Sequence, residues 1–78
     1  MEEDWISVMT ITNADELLYH YNLPTIDGAR LLVKYHTGTI NEFVFWDIKL
    51  GFVDSLGLSY FLNNNVKFWK YYNKIKVL

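Results

Sequence analysis

Between residues 29 and 50 the chain reads ARLLVKYHTGTINEFVFWDIKL, and its apolar and polar positions resolve into two strand-like runs folded on Thr37-Gly38. Ala29, Leu31, Val33 and Tyr35 alternate with Arg30, Leu32, Lys34 and His36, the period-two pattern of a strand with one buried face. After the turn, Glu42, Val44, Trp46, Ile48 and Leu50 fall on one side, and Asn41, Phe43, Phe45, Asp47 and Lys49 on the other. Both sides carry large apolar groups, which predicts a central strand covered on each face. A helix is the rival reading of 39–50, because Thr39 and Glu42 have capping-box spacing and Gly51 stands at a helix-ending position. Phe43, Val44, Phe45 and Trp46 favour the strand, since β-branched and aromatic side chains lose rotamer freedom in a helix.

The flanks supply the rest of the fold. WISVMTI (5–11) is β-prone and loosely alternating and predicts a strand. Thr12 with Asp15 and Asn13 with Glu16 are overlapping helix-start signals, predicting a short helix over 14–21 that ends before Pro24. Asp27-Gly28 is a turn signal. Past Gly51, residues 53–57 read as a loop, or Asp54 caps a short helix through Leu62. LSYFL, the triplet Asn63-Asn64-Asn65 and VKFWKYY then read as a hairpin, with a helix over the tail as the alternative. The whole predicts an α+β fold: one small domain over 1–78, mainly antiparallel sheet, with one or two short helices packed against it.

Composition sharpens this picture in two ways. The 78 residues include 14 Phe, Tyr or Trp, and each such side chain can bury roughly 150–250 Å². So small a core cannot hide them all, and the surplus predicts aromatic surface for a partner or for a second copy. Charge is the other feature. The net charge of −2 conceals a gradient, with six acidic groups and no Lys or Arg in residues 1–28, and Lys67, Lys70, Lys74 and Lys76 without an acid in 66–78. The chain has no cysteine, which excludes a disulfide framework and thiolate metal sites. An acidic start without an apolar run, and no apolar stretch near ~20 residues, predict a cytoplasmic chain outside the membrane.

Catalytic chemistry is sparse in the pattern. His20 and His36 lie in separate elements without a second ligand at recognisable spacing, so no metal or other cofactor is expected. Ser7, Ser55 and Ser59 lack a nucleophile elbow, Glu42 and Asp47 point to opposite faces of a strand, and Gly51 and Gly57 fit no phosphate loop. A minimal enzyme using His36 is the weakest reading. In the tail, Lys67, Phe68, Trp69, Lys70, Tyr71, Tyr72, Lys74 and Lys76 interleave cations with rings, the logic of a single-stranded nucleic-acid surface, although four lysines on an acidic chain make a modest patch.

Residues 73–78, NKIKVL, resemble the ending of phage-encoded uracil-DNA glycosylase inhibitors, which are small α+β proteins of similar length. Those inhibitors are strongly acidic because they imitate DNA, and this chain departs from them with its near-neutral balance and lysine-rich end, so no functional residue carries over. The resemblance implies an inhibitor of a DNA-processing enzyme as one alternative. The leading expectation is a non-enzymatic protein-interaction module of the inhibitor, immunity or antitoxin type. Trp46, Trp69, Tyr71 and Tyr72 are its expected contact residues, Lys67 and Lys70 steer the partner, and homodimerisation is a companion expectation.

Overall fold

The structure is a computed structural model that describes residues 4–13, 15–16 and 18–72. In chain order its elements are β1 (Ile6–Ser7), β2 (Met9–Asn13), β3 (Leu18–Tyr21), β4 (Arg30–Tyr35), β5 (Ile40–Asp47), β6 (Gly51–Val53), α1 (Tyr60–Asn65) and β7 (Val66–Tyr71). The described residues are thus mainly antiparallel sheet with one short helix. Five strands form one sheet in the order β1-β7-β4-β5-β6, and β2 and β3 pair as a separate ribbon.

Local chemistry explains the central hairpin. Gly38 takes a positive φ of 96°, a conformation glycine adopts without a Cβ penalty, and the Tyr35 N–H donates to the Thr39 carbonyl at 3.0 Å to close the turn. Leu31 then faces Val44 across β4 and β5, Val33 faces Trp69 across β4 and β7, and Trp46 faces Phe52 across β5 and β6. Directly paired residues of an antiparallel sheet share a face. One face therefore gathers Leu31, Val33, Val44, Trp46, Phe52 and Trp69 into the core.

That face is closed by the β6 to β7 connection. The Asp54 carboxylate accepts the N–H groups of Leu56 and Leu58 at 2.8 and 2.9 Å, which sets the loop, and α1 follows and drives Leu62 into the core. At the other end the chain around the buried Pro24 packs down, with the Trp69 indole N–H donating to the Asn22 carbonyl at 2.8 Å. Bulges in β4 pairing, between Leu31 and Val33 toward β5 and between Lys34 and Tyr35 toward β7, keep Tyr35 and Val66 on the core side.

Several expectations need correction. The helix predicted over 14–21 is not formed by the described residues there: Asp15 and Glu16 lie in a turn, and Leu18–Tyr21 is β3, paired with β2. Turn-forming polar residues serve a hairpin as well as a helix cap, and the Leu-Tyr-His-Tyr segment gains a pleated partner that an eight-residue helix would lack. The hairpin expected at the asparagine triplet is α1 instead. Asn64 and Asn65 donate to the carbonyls of Tyr60 and Phe61 four residues earlier, each at 2.7 Å, so their side chains add to the helical ladder rather than turn the chain. Asp54 organises a loop rather than capping a helix, and the strand expected over 5–11 breaks at Val8 into β1 and β2.

The hairpin of 29–50, the Asp27-Gly28 turn and the strand in the tail match expectation. β5 is hydrogen-bonded on both edges but is not covered on both faces, because Phe43 remains 59% exposed. Its strand ends at Asp47, so Ile48 and Leu50 leave the core-facing set and sit exposed in the turn that follows.

Candidate functional site

Two surfaces carry chemistry beyond the core. The first is an apolar concavity of about 870 Å³ on the α1 side of the sheet, lined by Tyr35, Asn41, Leu50, Leu58, Tyr60 and Phe61 among others. α1 is only six residues long and turns one side chain, Leu62, into the core, so its remaining apolar residues face outward. Tyr60 is 83% exposed and Phe61 60%, with Leu58 at 63% in the same lining. Phe61 stands edge-on to Tyr35 with ring centroids 5.6 Å apart. The Tyr35 hydroxyl accepts the Asn41 side-chain amide at 3.0 Å, and the Asn41 carbonyl oxygen accepts the Phe43 N–H at 2.8 Å. The floor of the concavity is held in place by this chain of bonds.

The second surface is the sheet face opposite α1. Strand pairing puts Arg30 beside Phe45, Leu32 beside Lys70 and Lys34 beside Phe68. The Arg30 guanidinium lies 4.0 Å from the Tyr72 ring centre and 5.0 Å from that of Phe43. Lys34 and Lys70 each place their ammonium 4.7 Å from the Trp5 ring centre, and Lys34 also approaches Phe68 at 5.6 Å. Each cation is thus seated over at least one ring, an attraction between the charge and the π-face. Glu42 reaches Arg30 at 4.0 Å, a long and exposed ion pair worth little.

The six expected contact residues are divided by the fold. Trp46 and Trp69 retain only 7% and 4% exposure and serve the core, so neither ring is offered to a partner. Tyr71 faces the core side, half-buried, with its hydroxyl accepting the Thr25 N–H at 3.1 Å. Burial pushes the Tyr71 phenol up, yet the bonds from the Thr25 backbone and side chain and from Ile26 outweigh it and bring the hydroxyl below its ordinary range. Lys70 and Tyr72 lie on the second surface, and Lys67 is exposed, its carbonyl accepting the Val8 N–H at 2.9 Å. Trp5, Arg30 and Phe43 of that surface, and Leu58, Tyr60 and Phe61 of the concavity, were not among the expected contacts. The period-two alternation of Arg30, Leu32 and Lys34 was the available signal for the second surface; six residues of α1 are too short to show a helical one.

His20 and His36 are both exposed, on the ribbon and in the central turn. Among the described residues no three His, Cys, Asp or Glu side chains gather as a metal site, and no helix is long and apolar enough to cross a membrane. The chain matches no protein-family model, and no curated protein or solved structure is significantly similar to it.

Proposed function

We propose that the chain is a non-enzymatic interaction module, of the inhibitor, immunity or antitoxin type, that docks an apolar segment of a partner protein into the concavity beside α1. The single observation that carries this reading is the exposure of Leu58, Tyr60 and Phe61 around a shaped hollow, since isolated surface apolar groups are ordinary but a contiguous set around a cavity marks a contact site. The polar groups there favour an apolar occupant. Asp54 spends its carboxylate on its own loop, and Asn41 and the Tyr35 hydroxyl are bonded to each other, leaving rings and leucines to make the contact.

Selection of displayed random peptides against the intact chain tests this. Selected peptides should present two or more spaced apolar side chains, compete with one another, and lose at least about tenfold in affinity to Tyr60→Glu or Phe61→Glu, in line with an anchor worth more than 1 kcal/mol. Peptides that bind both variants as well as the native chain would place the contact elsewhere. A dimer in sedimentation that Tyr60→Glu dissolves would make the occupant a second copy instead and overturn the reading.

A further inference from the structure

We propose that the sheet face opposite α1 binds single-stranded nucleic acid, with bases stacking on Trp5, Phe43, Phe68 and Tyr72 while Arg30, Lys34 and Lys70 meet the phosphates. This does not rest on the docking concavity, which lies on the other side of the sheet. Charge and ring placement together select the occupant: the chain carries −2 overall, yet on this face Arg30, Lys34 and Lys70 are each seated over a ring, and Glu42 meets Arg30 only at 4.0 Å. Positive charge is concentrated where the rings are. Each cation sits 4.0 to 5.6 Å from a ring centre, so charge and π-surface alternate across adjacent strands, β7 bringing Phe68 and Lys70, β4 Arg30 and Lys34, and β5 Phe43.

That alternation distinguishes a single strand from other polyanions. A duplex hides its base faces, and an acidic peptide would use the cations and ignore the rings. An unpaired strand uses both, because every base has a π-face and every nucleotide a phosphate. The contact should be sequence-tolerant, since stacking and phosphate pairing use parts that every nucleotide has. Trp69 and Tyr71 of the same tail take no part, because strand geometry turns alternate residues to the other side.

The test is anisotropy of a labelled oligothymidylate of about 12 nucleotides titrated with the intact chain at roughly 20 mM salt. Saturable binding is expected, with the logarithm of affinity falling against the logarithm of salt at a slope near about −2, the value for three phosphate contacts on a single strand. Phe43→Ala should weaken binding by roughly 5- to 150-fold, as loss of one stacking ring does. That ring is 59% exposed, so the fold tolerates its removal, and far-UV circular dichroism verifies this. Arg30→Gln should flatten the salt slope by about 0.7, whereas Lys49→Gln, an equal charge change in an exposed turn, should leave it unaltered. Absence of binding at low salt, full binding by Phe43→Ala, equal binding of a duplex, or displacement by polyglutamate at equal charge concentration would each overturn the proposal. The last result would assign the face to an acidic protein segment.

Discussion

The side chain of Asn63 fills the space that a Cβ on Gly51 would occupy, its Oδ1 lying 2.6 Å from that position. From there it accepts the Phe52 N–H at 2.9 Å, while its Nδ2 donates to the Leu50 carbonyl at 2.7 Å. One amide thus fastens α1 to the edge strand β6. Gly51 also holds a φ of 96°, so Gly51→Ala meets backbone strain and a clash together and should cost about 1–3 kcal/mol. Asn63→Ala should cost about 1–2 kcal/mol through its two lost bonds. The double variant should lose less than the sum, because removing the amide clears the space; urea titrations of the four proteins read this, and strict additivity would show the two sites to be uncoupled.

Trp69 joins the core to the segment around Pro24. It is 4% exposed, donates to the Asn22 carbonyl at 2.8 Å, and stands edge-on to Tyr71 at 5.1 Å. Trp69→Ala should cost about 3–5 kcal/mol, a large share of what a domain this size possesses, and should abolish cooperative thermal unfolding. Trp69→Phe keeps most of the volume but strands the Asn22 carbonyl, with an expected loss of about 1–2 kcal/mol. A cooperative transition retained by the alanine variant would contradict the placement of this ring.

Asp47 governs the β5 to β6 turn, its carboxylate accepting the N–H groups of Leu50 and Lys49 at 2.9 and 2.8 Å. These bonds, with a smaller attraction from the Lys49 charge, hold its pKa below the ordinary carboxylate value of 3.8. A depressed folded-state pKa stabilises the fold above the unfolded value, and that contribution disappears as pH falls through the folded one. Asp47→Asn should therefore show a flatter loss of stability than the native chain as pH drops below about 4. Urea midpoints across that range measure it, and parallel curves for the two proteins would refute the assignment.

The β2–β3 ribbon should be the least protected part of the sheet structure. Among the described residues its two strands pair only with each other, and Ile11, Leu18, Tyr19 and Tyr21 are exposed. A lone two-stranded ribbon is marginal in water, while β4 is paired on both edges over a buried face. Amide hydrogen exchange should accordingly be fastest in residues 18–21 and slowest at Leu31 and Val33. Uniform protection across both would mean that the ribbon is covered in solution.

Which segments become strands was legible in the sequence where the pattern is local and long. The alternation from Ala29 to Tyr35, the β-branched and aromatic run of β5, and the glycines at 28 and 38 each carry their own physics, so β4, β5 and the turns around them follow from neighbours in the chain. Where segments were short, two local solutions were nearly equal, and tertiary partners chose. Leu18–Tyr21 became a strand because β2 lies beside it, and Tyr60–Asn65 became a helix that delivers Leu62 to the core.

Burial itself could not be read from the chain. By itself the sequence determined that there are more rings than so small an interior holds, since that depends only on composition and size. Which rings stay outside was decided by the sheet order, which places β7 next to β4 and seats Trp69 against Val33. Trp46 and Trp69, the largest side chains and the natural choice for a contact surface, went inside, while Phe43, Tyr60 and Phe61 remained in the open. The physical reason is that residue type sets how much surface a side chain gains by leaving water, whereas the cover that lets it leave comes from segments far away in the sequence.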